Sequence, residues 1–179
     1  PILLVGLGLA VLQQFCGANN ITAYMQVIFE KANFSFQNGL INAVFVMLVF
    51  FVFTVIAILL VDKIGRKKLM LTGTASMAFI LFMLAWTFNR PDVDGRLVLV
   101  LVMGYIATFA FTLGPVVWVL LSEIFPNHIR SKALSLSAAV LWLATFVVVR
   151  VSPAVLKLSP VTNFVFFGAF NVIGFFFVW

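Results

Sequence analysis

Six long apolar runs dominate the chain and limit what it can fold into. A helix that crosses a bilayer needs roughly 20 mostly apolar residues. Runs of that kind fall at about 1–29, 39–61, 68–88, 97–121, 133–151 and 161–179. A water-soluble domain carries far more charged surface than the 9% charged and 64% hydrophobic residues found here. Phe and Val are abundant and suit strands, but a membrane strand needs only about 10 residues and alternates apolar with polar. These runs are longer and continuous; Ile41–Val61 has only Asn42 and Thr54 as polar members. Helices satisfy every backbone amide within the segment, as lipid demands. The pattern therefore predicts an all-α membrane protein with six transmembrane helices. The first run lacks the basic start of a signal peptide. The chain begins at Pro1 inside an apolar run and closes within Phe175–Trp179 without a charged flank, so a fragment is expected.

The formal net charge of +6 does not point to nucleic acid. No basic stripe alternates with exposed aromatics; the basic residues sit in short segments between the apolar runs. One side of the membrane receives Lys63, Arg66, Lys67 and Lys68, then Arg130 and Lys132. The other side receives Lys31, Arg90, Arg96 and Lys157. The dense Lys63–Lys68 cluster places the first side in the cytoplasm, with the first helix entering from there. The predicted loops on that side are Asp62–Lys68 and Ser122–Lys132.

Several chemistries find no support. Cys16 is the only cysteine and His128 the only histidine, so no disulfide framework or metal cluster is expected. His128, beside Asn127 in a loop, reads as solvated. Gly6 and Gly8 lie in apolar sequence without the Gly-Lys-Ser/Thr of a phosphate loop. None of the five acidic residues lies in a span centre. No enzyme, metal or cofactor is expected.

Polar groups inside a membrane span are costly and each needs a reason. The first span holds Gln13, Gln14, Asn19 and Asn20 within eight residues, then Tyr24. At helical spacing Gln13, Gly17, Asn20 and Tyr24 share one face. Gly17 lowers helix stability there and invites a break, and discontinuous helices line substrate sites near the midplane of transporters. A carboxamide has a donor and an acceptor, which matches a hydroxyl that does both. A single Gln would read more simply as interhelical glue; four carboxamides read as a polar cavity. In the fourth span, Gly114-Pro115 should kink the helix. Trp118 follows, offering a flat apolar face to a sugar ring or serving as an ordinary core Trp. Asp62, Arg66, Lys67, Glu123 and Arg130 could pair between the two cytoplasmic loops. Spacing alone favours solvated loop charges.

These residues resemble the sugar porter family of the major facilitator superfamily. Gln13-Gln14-Phe15-Cys16-Gly17-Ala18-Asn19, with Tyr24 and Ile28-Phe29-Glu30, resembles its seventh-helix motif. Asp62-Lys63-Ile64-Gly65-Arg66-Lys67 resembles the loop motif after its eighth helix. Gly114-Pro115-Val116-Val117-Trp118 through Ser122-Glu123-Ile124-Phe125-Pro126 and Arg130 resembles its tenth-helix signature. The resemblance implies that residues 1–179 are helices seven to twelve of a twelve-helix fold, lacking the end of the last helix and an N-terminal six-helix half. It carries sugar hydrogen bonding onto Gln13, Gln14 and Asn19, where periodicity prefers Asn20. It carries pocket packing onto Phe109, Gly114, Trp118 and Trp142, and an extracellular gate onto Tyr24. It turns the charges Asp62, Arg66, Glu123 and Arg130, with Lys67, into a cytoplasmic network.

Where the family often has a polar group, this chain has Phe50, Ala110 and Leu141, which leaves the sugar's identity open. The implied function is transport of a monosaccharide across the plasma membrane by alternating access, as a proton symporter or a facilitator. The breaks near Gly17 and Pro115 would act as local gates. Expected partners are the sugar, protons if transport is coupled, membrane lipid and the other half. A non-transporting sugar sensor on the same scaffold is the alternative.

Overall fold

The computed structural model describes residues 2–179; Pro1, placed in the first predicted run, lies outside the described residues. Among the described residues, nine helices form six membrane-length spans. The first span is α1 (Ile2–Phe15), α2 (Ala18–Ala23) and α3 (Met25–Lys31). The second and third are α4 (Phe36–Ile64) and α5 (Arg66–Phe88). The fourth is α6 (Gly95–Phe111) followed by α7 (Leu113–Ile124). The last two are α8 (Arg130–Leu158) and α9 (Pro160–Val178).

Burial follows the logic of lipid rather than water. Along its most apolar stretch the α4 helix is only 17% buried, whereas the less apolar α5 is 50% buried. In water the more apolar helix would be the more buried one. Here α4 exposes Val44, Phe51, Leu59 and their neighbours outward. α5 lies at the centre, packed on α9 and α6. Ile21, Phe29, Met77, Leu81, Tyr105 and Phe164 form the larger core. Leu9, Val116, Val117, Leu121 and Phe125 form a second core toward the charged end.

The helices run longer than the apolar pattern implied. Ser35, Asp94 and Ser159 cap α4, α6 and α9, each accepting a backbone N–H of the first turn. The predicted loop 62–68 contracts to one residue: Asp62–Ile64 complete α4 and Arg66–Lys68 begin α5. Gly65 joins them at φ +93, and nothing lies within 4 Å of a Cβ built there. Conformation, not space, requires glycine at this turn. α8 continues past Pro153, beyond the predicted end at 151. Proline cannot donate to the carbonyl four residues back, that of Val149. The Tyr24 hydroxyl donates to that carbonyl at 2.7 Å.

Candidate functional site

Two helix breaks build the site. The first falls at Gly17, as the sequence implied, with φ +100. A Cβ there would stand 2.9 Å from the Phe167 Cβ and Cγ, so both conformation and space demand glycine. The break frees the Cys16 carbonyl. Tyr105 Oη donates to it at 2.7 Å, and Asn171 Nδ2 donates at 2.7 Å. The chain has two tyrosines, and both hydroxyls serve carbonyls left without a backbone donor, one at the Gly17 break and one four residues before Pro153.

The second break lies at Thr112, two residues before the predicted Gly114-Pro115 kink. Thr112 adopts φ −121 and ψ −94, and its N–H closes a tight turn on the Phe109 carbonyl at 3.2 Å. Pro115 then occupies the first turn of α7, where a missing N–H is tolerated. The break thus moves upstream so that the proline becomes part of a helix start. Gln13 Nε2 crosses from α1 and donates to the carbonyls of Leu113 at 3.1 Å and Gly114 at 3.0 Å.

Between the breaks lies a cavity of about 360 Å³. Gln13, Gln14 and Asn19 line it from the first span; Phe109, Gly114, Pro115 and Trp118 line it from the fourth; Trp142 closes it from α8. Asn19 Nδ2 donates to Gln14 Oε1, so a carboxamide pair bridges the first break. Trp118 is 44% exposed and Trp142 65%, so their indoles face the open side of the cavity and not the core. Phe50 stacks on Phe109 with ring centroids 6.5 Å apart. The result is one carboxamide wall facing one aromatic wall. Such a site can hydrogen-bond hydroxyls and pack C–H faces, and it holds no charge among its lining residues.

The structure separates the two adjacent asparagines. Asn19 lines the cavity; Asn20 does not, although periodicity placed it on the Gln13 face. Asn20 is fully buried with both side-chain polar atoms unpartnered. The left-handed residue at Gly17 resets the helical phase, so regular spacing fails across it. Tyr24 lines a neighbouring recess with Val149 and Pro153, which shares Trp142 and Thr145 with the main cavity.

Of the apolar departures, Phe50 and Leu141 line the cavity, while Ala110 is fully buried and does not. Two lining residues escaped the sequence reading: Thr54 and Thr145. Each sits one turn beyond an apolar departure, four residues after Phe50 and Leu141. Each hydroxyl donates to that residue's carbonyl, at 2.8 and 2.9 Å, and keeps its lone pairs as acceptors. Their spacing from Phe50 and Leu141 was the available signal.

At the far end of the bundle, Arg66 Nη2 pairs with Asp62 Oδ1 at 2.9 Å and Glu123 Oε1 at 2.7 Å. This ties the α4–α5 turn to the end of α7. The predicted network is smaller than expected. Arg130 Nε donates to the Phe125 carbonyl at 3.3 Å, and Lys67 Nζ to the Trp179 carbonyl at 2.8 Å; neither pairs with an acid among the described residues. Arg130 opens α8, and its Nε is engaged by the carbonyl of the buried Phe125 instead of by an acid of the Arg66 cluster. No group of three or more metal-ligating side chains occurs among the described residues.

A family model described as sugar (and other) transporter matches residues 1–179. The arabinose-proton symporter of Bacillus subtilis (strain 168) is 36% identical over 98% of this chain and 38% of its own length. The D-xylose-proton symporter of Escherichia coli (strain K12) is 40% identical over 82% of this chain and 30% of its own length. A solved structure of the major facilitator superfamily proton:xylose symporter XylE, bound to 6-bromo-6-deoxy-D-glucose, superposes with a TM-score of 0.89. It is 36% identical, and the match covers 99% of this chain and 38% of that one. The chain therefore spans less than half the length of these relatives.

Proposed function

The chain belongs to the sugar (and other) transporter family, and on that premise we propose that it forms one six-helix half of a monosaccharide carrier. The carrier works by alternating access in the plasma membrane, and a second half of similar size covers the open side of the cavity. The observation that carries this reading is the cavity between two broken spans, with Gln13, Gln14 and Asn19 opposite Trp118 and Trp142. Carboxamides bind neutral hydroxyls without fixing a charge, and each such bond contributes only about 0.5–1.5 kcal/mol. Moderate binding suits a carrier, which must release what it binds. The Arg66–Asp62–Glu123 cluster ties two helix ends at the cytoplasmic side and favours the state in which that side is closed. Relatives named as proton symporters support coupling to protons. The relatives are named for transport, and no feature of the cavity favours the sensor alternative.

The test is uptake by the full-length protein in proteoliposomes, using labelled pentoses and hexoses with and without a protonophore. Gln14→Ala should lower uptake of the preferred sugar several-fold while membrane insertion is unchanged. Uptake equal to the unaltered protein for every sugar would remove the assignment. A protonophore effect would select symport over facilitated diffusion.

A further inference from the structure

The recess beside Tyr24, of about 400 Å³, adjoins the sugar cavity. The two spaces share Trp142 and Thr145 in their walls. Along α8, Trp142, Thr145, Phe146, Val149 and Arg150 follow one another at i, i+3, i+4, i+7 and i+8, so they form one helical face. That face carries a single charge. Arg150 is exposed and lines the recess. It lies inside the span, before the end of α8 at Leu158 and about 12 Å from it along the axis.

An arginine within a membrane span pairs with an acid or faces a water-filled path. Arg150 has no acidic partner among the described residues, where both ion pairs belong to Arg66. The other recess walls are neutral, and the Tyr24 hydroxyl is committed to the Val149 carbonyl. Direction shows what the cation can serve. A long side chain on a helix leans toward the helix start. From Arg150 that is toward Thr145, about 7.5 Å away along the axis, and toward Trp142 beyond it. The donors of the guanidinium thus lie beside a cavity whose wall is apolar at Phe50 and Leu141. One guanidinium balances one negative charge, and its planar fork fits a carboxylate through two parallel hydrogen bonds. A phosphate group carries a charge of about −1.5 to −2 at neutral pH, more than this single cation offsets.

We propose that the cavity and the recess together bind a sugar carboxylate, a hexuronate. Its hydroxyls meet Gln14 and Asn19, its ring packs on Trp142, and its carboxylate accepts from Arg150. The proposal rests on the carrier reading above and names a substrate class for that same site.

The test measures binding to the full-length protein by calorimetry at neutral pH, with three matched probes. D-Xylose has the ring and hydroxyls of D-glucuronate without the carboxylate. D-Glucuronamide keeps the size of the group and removes its charge. The series is repeated with L-arabinose, D-galacturonamide and D-galacturonate, which are related in the same way. In the unaltered protein one of the two uronates should bind about tenfold tighter than its amide, as a charge-assisted pair of hydrogen bonds requires. Arg150→Gln should remove that advantage while the pentose, which has no carboxylate, stays within about twofold. A uronate that binds no tighter than its amide in the unaltered protein would overturn the proposal, whether or not the variant folds. An equal loss of uronate and pentose in Arg150→Gln would also overturn it, and is the result expected if an acid of the second half holds the guanidinium. Pentose binding without a uronate advantage removes this inference and leaves the carrier reading standing. Binding of none of these sugars removes both.

Discussion

The two broken spans are held by different kinds of partner. At Gly17, the freed Cys16 carbonyl is bound by Tyr105 and Asn171, both buried and both outside the cavity lining. At Thr112, the carbonyls of Leu113 and Gly114 are bound by Gln13, which lines the cavity itself. The first break has its carbonyl capped from behind, while the Gln14–Asn19 pair spans it on the cavity side. The second is tied to a side chain that a ligand can reach. A ligand that engages the Gln13 carboxamide therefore acts on the start of α7, and α7 leads to Glu123 at the charged end. The difference suggests a division of labour: one break shapes the site, and the other transmits its occupancy.

The largest effect should come from breaking the first of these. Gly17→Ala places a Cβ at φ +100 and 2.9 Å from Phe167. Conformational strain and overpacking together should cost about 3 kcal/mol or more. Thermal unfolding in detergent should show a large fall in Tm or no folded protein. A smaller and more informative effect is expected at the cap. Tyr105→Phe or Asn171→Leu alone leaves the Cys16 carbonyl one donor and should cost about 1 kcal/mol. The double variant leaves a buried carbonyl bare and should cost more than the sum. Strict additivity would show that the two donors do not share one acceptor. The smallest effect on stability is expected at the charged end. Asp62 is 75% exposed at its side chain and Glu123 48%, so Glu123→Gln should change stability by less than about 1 kcal/mol. Its effect should appear instead as a shift toward the conformation open at the Arg66 side, read by distance measurements between labelled halves of the full-length protein.

Much of the fold was legible because lipid leaves few options. Continuous apolar runs of span length are satisfied in lipid by helices, and the structure has one membrane-length helix or one interrupted set of helices for each. The break at Gly17 was legible because glycine sits amid four carboxamides. The positions around each break were harder to read. Helical spacing misplaced Asn20 because it assumed an unbroken phase through Gly17. The kink expected at Gly114-Pro115 fell at Thr112 because a proline is better accommodated in a first turn than in a helix interior. The end of α8 was underestimated because the Val149 carbonyl, freed by Pro153, finds a donor 125 positions away in Tyr24. Such a rescue is invisible to any local pattern. Thr54 and Thr145 were overlooked because single threonines in apolar spans usually satisfy themselves on the preceding turn, as these two do.

The most direct test measures sugar affinity in the full-length protein, by calorimetry, for Gln13→Ala and Tyr105→Phe side by side. D-Xylose, L-arabinose and D-glucose serve as ligands. If the carbonyls of the second break are held from within the binding site and the Cys16 carbonyl from outside it, Gln13→Ala weakens binding of the preferred sugar about tenfold, while Tyr105→Phe leaves affinity unchanged despite its lower Tm. Unaltered affinity in Gln13→Ala, or an equal loss in Tyr105→Phe, would contradict the account.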